Sequence, residues 1–158
     1  MKTKLLLAVL SLWFAAPMIG AEPPADDSVI SQIVADQVKA WNIGDAKAFS
    51  ERFADDGSFT NIRGTAFYGH RAFEDRHAEV FATVFKGSKL AMSVDKIRYV
   101  RPDVAIVDIS TEVSQVQGTL PGVRAASDGK FHTRLQEVLV KEPDGWKIAS
   151  YHNVDVKQ

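Results

Sequence analysis

Apolar residues recur with a helical period in the first half of the chain and with an alternating period in the second half. Between residues 28 and 42 they lie three or four positions apart, and Gly44 then supplies a residue that commonly ends a helix. Residues 45–53 form a second, shorter helical pattern that begins with an Asp able to cap it. We predict two helices here, followed by a turn over residues 54–57 and a short strand over residues 58–62.

A third helix is predicted after a segment bracketed by Gly64 and Gly69. One face of this helix is apolar except for His77, and we expect the helix to stop at Gly87. From there to the C-terminus apolar and polar residues alternate, which is typical of strands with one buried face. The parity of this alternation changes near Asp95, which predicts a β-bulge.

The alternating region divides into four long antiparallel strands, which are separated by two tight turns and one long polar excursion over residues 117–130. The predicted strands span residues 90–99, 104–116, 131–141 and 146–156. Helices that precede a strand meander indicate an α+β domain, in which a curved, mostly antiparallel sheet wraps over three N-terminal helices. A cone-shaped sheet of this kind leaves a cavity between itself and the helices.

The N-terminus has the pattern of a secretory signal peptide. Lys2 and Lys4 precede an uncharged run over residues 5–20, which ends in small residues. A membrane anchor is the alternative, but the run is shorter than the roughly 20 residues that a spanning helix needs. We expect a signal peptide over residues 1–21, a tether over 22–27 and a single domain over 28–158, in a secreted or periplasmic protein that meets the membrane only during export.

Composition narrows the chemistry. The 158 residues include no cysteine, which excludes disulfides, thiolate catalysis and cysteine-ligated metals. Basic and acidic residues number 19 and 20, and no Lys/Arg run is present, so we expect no nucleic-acid partner. The sequence carries no nucleotide-phosphate loop and no flavin motif, and we expect no cofactor.

Three motifs resemble a known family. They are Trp41-x-x-Gly44-Asp45-Ala46, Gly69-His70-Arg71 and Asp144-Gly145-Trp146-Lys147-Ile148. Together they are similar to the nuclear transport factor two-like superfamily, and to its SgcJ/EcaC branch near the SnoaL-like group, over residues 28–154. This resemblance implies a cone-shaped α+β barrel with a pocket, and a homodimer formed through the outer face of the sheet. It does not imply one reaction, because this fold hosts isomerases, dehydratases, cyclases and proteins without catalytic activity.

Four residues are candidates for catalysis. His77 points into the predicted core, where a tuned imidazole can transfer protons; the alternative is a core histidine bonded to backbone. His152 and Asn153 must face opposite sides of the last strand, and we expect His152 to join His77 inside because it shares the parity of Trp146. The other two candidates are Tyr68, as a donor to a ligand carbonyl or else a rim aromatic, and Asp108, as a buried acid.

Six further residues are candidates for ligand binding. Arg134 is expected to anchor an acidic ligand, although an exposed or dimer-interface arginine is an equal alternative. Aromatic side chains and one amide complete the predicted pocket: Trp41, Phe59, Asn61, Phe67 and Phe81. We expect no metal site, because the four histidines show neither an i, i+4 helical pair nor a His-x-His pair.

Three functions remain open on the sequence. The first is an exported, homodimeric protein that binds a small, partly apolar organic ligand. The second is an isomerase, cyclase or dehydratase with a histidine acid/base, and the third is a dimerisation module with a filled interior. An open pocket of about 300 Å³ or more would favour a ligand over the third function.

Overall fold

Three helices and six strands make up residues 25–156, the part of the chain that the computed structural model describes. In chain order they are α1 (Ala25–Ile43), α2 (Ala46–Ser50), β1 (Phe53–Thr60), β2 (Ala66–Tyr68), α3 (His70–Ala82), β3 (Lys89–Arg101), β4 (Val104–Ser114), β5 (Phe131–Glu142) and β6 (Gly145–Asp155). Between residues 25 and 156, no helix has the length and apolar character needed to cross a membrane. The predicted signal peptide lies outside the described residues.

The six strands form one curved sheet in the order β2-β1-β6-β5-β4-β3. All neighbouring strands are antiparallel except β1 and β6, which run parallel. The edge strands β2 and β3 do not pair with each other, so the sheet is not closed. Helix α1 contacts β3, and α3 contacts β1 and β2. This arrangement confirms the predicted α+β class.

The helix ends follow the local signals in the sequence. Gly44 adopts a φ of 74° and closes α1 by donating its backbone N–H to the carbonyl of Trp41 at 2.9 Å. The carboxylate of Asp45 accepts from the backbone N–H of Ala48 at 3.0 Å and caps α2 as predicted. Helix α3 ends at Ala82, before the predicted stop, and turns continue to Gly87.

The second helix is shorter than predicted because its last residues belong to the sheet. Helix α2 ends at Ser50, and Phe53 begins β1 by pairing with Ile148 of β6. The register of β1 against β6 shifts between Phe53 and Ser58. Residues 54–57, predicted as a turn, are therefore the bulged part of a strand, and their Asp and Gly residues permit the bulge.

The start of α1 is bonded to two central strands of the sheet. Residues 25–27, expected to end a tether, form the first turn of α1. The carboxylate of Asp26 accepts hydrogen bonds from Nζ of Lys141 at 2.8 Å and from Nε1 of Trp146 at 3.0 Å. These two bonds hold the pKa of Asp26 below its ordinary value. The N-terminus of the helix is thereby fixed to the β5–β6 hairpin.

Three bulges shape the long strands. The predicted bulge in β3 is confirmed, since the register against β4 shifts between Val94 and Lys96. Two other bulges were not predicted. One lies between Tyr99 and Arg101 of β3. In the other, Val138 pairs with Ser150 while Leu139 pairs with Ile148, which leaves one extra residue in β6. The extra residue reverses the parity of β6, so the side chains after it face the side opposite to the one that the alternation predicts.

Gly57 occupies a position at which a side chain would collide with the core. A Cβ there would lie 2.7 Å from Cε1 of Phe53 and 3.1 Å from the carbonyl oxygen of Ala54. We expect Gly57→Ala to lower the free energy of unfolding by about 1–3 kcal/mol, the usual cost of overpacking. Urea unfolding measures this loss. In a Phe53→Leu background the loss should shrink, because leucine has no ring edge at that place; an equal loss in both backgrounds would contradict the steric explanation.

Candidate ligand-binding site

A cavity of about 210 Å³ opens between α3, the inner face of the sheet and the loop that joins β4 to β5. Its walls are mainly apolar. They include Trp41, Phe59, Val80, Leu90, Val113 and Phe131. We call the buried polar part of the cavity, formed by His77, Tyr151 and Asn153, the deep end. We call the more exposed part, formed by Asn61, Arg63 and Arg76, the mouth.

His77 lies at the deep end within a cluster of aromatic rings. Its ring centroid is 4.3 Å from that of Phe73, 4.5 Å from Phe49 and 5.3 Å from Phe59. Nδ1 lies 2.8 Å from the carbonyl oxygen of Phe73. Because a carbonyl oxygen only accepts, Nδ1 carries the hydrogen and Nε2 carries the lone pair. Burial lowers the pKa of His77 to about 4, so the ring is neutral at pH 7 and offers an acceptor.

Two residues of β6 complete the deep end. Oδ1 of Asn153 is buried and has no hydrogen-bond partner among residues 25–156. Tyr151 offers a phenolic O–H, and its pKa is raised far above the ordinary value by burial and, to a smaller extent, by the charge of Glu137. The phenol is therefore a donor at any physiological pH. Because Oδ1 of Asn153 has almost no surface open to the cavity, the acceptor that a ligand can reach at the deep end is Nε2 of His77.

The two threonines of the cavity are already paired. Thr111 of β4 and Thr133 of β5 stand directly opposite each other, and their hydroxyl groups are hydrogen bonded across the strands. Each hydroxyl keeps only part of its capacity for a ligand. The polar chemistry of the deep end therefore falls mainly to His77, Tyr151 and Asn153.

Loop contacts and one ion pair shape the mouth. Oδ1 of Asn61 accepts from the backbone N–H groups of Arg63 and Thr65, which fixes the turn between β1 and β2. The guanidinium of Arg76 lies 5.9 Å above the ring of Phe67, and its Nη1 donates to Glu79 at 2.6 Å. None of the cavity-lining residues in the described chain is acidic. The mouth is thus electropositive.

A buried acid lies beside the cavity without lining it. Glu137 of β5 is fully buried and pairs across the strands with Tyr151. Its Oε1 accepts from Nε2 of Gln37 at 3.0 Å, whereas Oε2 and Oε1 of Gln37 are both buried without partners in the described chain. Burial raises the pKa of Glu137 to about 7. A proton on this carboxyl group supplies the donor that the acid–amide pair otherwise lacks.

Four of the predicted site residues line the cavity, namely Trp41, Phe59, Asn61 and His77. Two predicted aromatics pack behind the wall instead of lining it. Phe67 stacks on Phe59 at 5.4 Å, and Phe81 packs on Trp41 at 4.9 Å.

The remaining four predicted residues lie away from the cavity. His152 is exposed on the outer face because the bulge in β6 reverses its parity, so its predicted inward orientation is wrong. Arg134 is also on the outer face, where it bonds Asp95 at 2.8 Å. Asp108 is not a buried acid: it lies on that same face and accepts from Nε2 of Gln136 at 2.8 Å. Tyr68 lies on the edge strand β2 with 75% of its surface exposed.

Sequence reasoning missed Tyr151, Asn153, Arg76 and Glu137. A signal for Glu137 was present in the sequence. It is the one acidic residue on the face of β5 that carries Leu135 and Leu139, its apolar neighbours on that face. Asn153 was weighed against His152, and the unpredicted bulge decides in its favour.

Three potential metal ligands meet on the outer face of the sheet. Donor atoms of Glu112, Asp128 and His132 lie within 4.8 Å of one another. Nε2 of His132 already lies 2.8 Å from Asp128, and Nζ of Lys130 lies 2.7 Å from Glu112. The lysine neutralises part of the charge that would attract a cation. The spacing of the histidines did not predict this group.

Comparisons with known proteins agree with this architecture. A domain with a cystatin-like fold from Nostoc punctiforme is 24% identical, with a TM-score of 0.73, covering 87% of this chain and 81% of that one. A nuclear transport factor two-like protein from Shewanella oneidensis is 16% identical, with a TM-score of 0.66, covering 82% and 98%. A ketosteroid isomerase-like protein from Erwinia carotovora is 22% identical, with a TM-score of 0.66, covering 85% and 98%. No curated protein matches the sequence.

The fold is the one that these solved structures share, described as cystatin-like and nuclear transport factor two-like. Residues 30–153 match the SnoaL-like domain family, and the chain belongs to that family. The resemblance of the sequence motifs to the SnoaL-like group is thereby confirmed.

The two buried titratable groups affect stability in opposite directions. His77 has a pKa of about 4 against an ordinary 6.5, so its contribution to stability is lost as pH falls from about 6.5 to 4. Glu137 has a pKa of about 7 against an ordinary 4.5, so its contribution is present at low pH and lost as pH rises from about 4.5 to 7. Each effect is on the order of 3 kcal/mol over its window, and in the intact protein they largely cancel.

Single substitutions should reveal each effect separately. We expect the stability of Glu137→Gln to rise with pH between about 4 and 6.5, and that of His77→Phe to fall between about 4.5 and 7. Urea unfolding at a series of pH values measures both profiles. His152→Gln and Glu142→Gln, at exposed positions, are controls that should keep the wild-type profile. If both core variants also kept the wild-type profile, neither group would have a shifted pKa in the folded state.

Proposed function

We propose that this protein binds a small, partly apolar organic ligand in the cavity. The observation that carries the proposal is the unpaired acceptor Nε2 of His77 in a cavity with apolar walls, beside the phenol of Tyr151. Apolar walls with a few convergent polar groups are typical of small-molecule sites. A ligand that donates a hydrogen bond there removes the cost of the unpaired acceptor.

The volume of the cavity limits the size of the ligand. Sites for drug-sized molecules usually measure about 300–1,000 Å³, whereas an apolar cavity of about 150 Å³ holds benzene. The cavity volume of 210 Å³ lies below the roughly 300 Å³ expected of a ligand pocket in the sequence analysis, and it suits a single ring with one or two substituents. An open cavity of this size also weighs against a module whose interior is filled.

A pocket enzyme of the isomerase, cyclase or dehydratase type is the second candidate. It is favoured by the lone pair that His77 offers to the cavity and by the likeness to a ketosteroid isomerase-like protein. However, a general base works best with a pKa near the working pH, and the pKa of His77 is about 4. No carboxylate lines the cavity within residues 25–156 to take its place. Binding is therefore the better proposal.

We further propose that the protein is an exported member of the SgcJ/EcaC branch and forms a homodimer through the outer face of the sheet. The resemblance of its motifs and the pattern of residues 1–21 support this proposal. Native mass spectrometry of protein purified from the periplasm tests it, because the mass reports the dimer, the removed leader and any co-purifying ligand together. A monomer that retains residues 1–21 would contradict it.

A variant that fills the cavity tests the proposed site. Val113 is buried in β4 and lines the cavity, and Val113→Phe would place a ring in the space for the ligand. We expect the mass of the co-purifying ligand to disappear in this variant. Ile106→Phe adds a similar ring to the outer side of the same strand and should retain the ligand. If Val113→Phe folds, as circular dichroism reports, and still carries the same mass, the ligand binds elsewhere.

A further inference from the structure

The mouth of the cavity carries positive charge that nothing in the described chain neutralises completely. Arg63 has no ion-pair partner among residues 25–156. Arg76 bonds Glu79, whose side chain is 65% exposed, and a guanidinium with five N–H donors keeps others for a second acceptor. A carboxylate at the mouth would gain charge-assisted hydrogen bonds from both arginines.

Arg76 is held in place and does not simply extend into water. Only 22% of its side chain is exposed, and its guanidinium lies 5.9 Å above the ring of Phe67. Arg71, five residues earlier on α3, differs: its side chain is 86% exposed, it pairs with Asp75, and it does not line the cavity. Positioning lowers the entropic cost of binding an anion, because less side-chain freedom is lost.

The deep end favours a functional group on the ligand other than a carboxylate. Nε2 of His77 presents an acceptor there and Tyr151 presents a donor, and both side chains pack against the rings of Phe59 and Phe73. A hydroxyl group both donates and accepts, so it can pair with His77 and Tyr151 together. A carbonyl group only accepts and would leave Nε2 of His77 unpaired.

We infer that the ligand is a small monocyclic hydroxy acid, whose carboxylate binds Arg63 and Arg76 at the mouth and whose hydroxyl group binds His77 and Tyr151 at the deep end. This inference rests on the proposed function and narrows it to one class of ligand. The apolar walls, with Trp41 and Phe59 among them, contact the ring between these two ends. The cavity volume admits one such ring.

A set of matched probes tests the inference by isothermal titration calorimetry. 3-Hydroxybenzoate and 4-hydroxybenzoate carry both groups at two spacings. Benzoate lacks the hydroxyl group, phenol lacks the carboxylate, toluene lacks both, and 4-hydroxybenzylamine reverses the charge. We expect one hydroxybenzoate to bind roughly tenfold more tightly than benzoate or phenol, the ratio that about 1.4 kcal/mol of binding free energy produces. The amine should bind more weakly than phenol.

Substitutions assign each gain to its residues. Arg63→Gln combined with Arg76→Gln should reduce hydroxybenzoate affinity to that of phenol while leaving phenol binding unchanged. Arg71→Gln, on the same helix, is the control and should change nothing. His77→Phe should reduce hydroxybenzoate affinity to that of benzoate while leaving benzoate binding unchanged. The unchanged probe in each case shows that the cavity is still folded.

The outcomes separate this inference from the proposed function. If toluene and phenol bind but a carboxylate adds no affinity, or if the double arginine variant binds hydroxybenzoate as before, the inference is wrong and the binding cavity stands. If the hydroxyl group adds nothing, the inference is equally wrong. If no probe binds, and Val113→Phe retains the co-purifying mass, the proposed function fails as well.

Discussion

His77 is the point at which the helices, the sheet and the cavity meet. Rings from α2, α3 and β1 pack around its imidazole at centroid distances of 4.5, 4.3 and 5.3 Å. A charged ring could not be hydrated in that cluster, so the imidazole stays neutral, and its bond to the carbonyl of Phe73 directs the lone pair away from the helix backbone. The packing that holds the helices on the sheet therefore also sets the chemistry at the deep end.

The orientation of β6 shows where sequence reasoning reached its limit. Helix caps, the bulge near Asp95 and the hairpin turns were predictable because each depends on residues adjacent in sequence. The bulge in β6 depends on how two strands pair, and Ala149 and Ser150 give no local sign of it. One extra residue moves His152 out and Asn153 in, and so replaces a titratable group by an amide.

Arg134 was predicted to anchor an acidic ligand, but the arginines that line the cavity are Arg63 and Arg76. Arg134 has the outward parity of β5 and is paired there, whereas Arg63 and Arg76 come from a loop and a helix that fold over the cavity. Alternation in one strand cannot tell which of its two faces is inside; only the buried neighbours across the sheet decide that. The aromatic walls were easier to predict, because an apolar helix face is stable only when it packs against the sheet.

One wall of the cavity has a different origin from the others. Thr119, Leu120, Pro121 and Val123 line it from the connection between β4 and β5, while the remaining lining residues belong to or flank helices and strands. The residues of this connection do not pair with any strand, so displacing them breaks few backbone hydrogen bonds of the sheet. Substitutions in this connection can therefore change the shape of the cavity without changing the strand pairing that stabilises the domain.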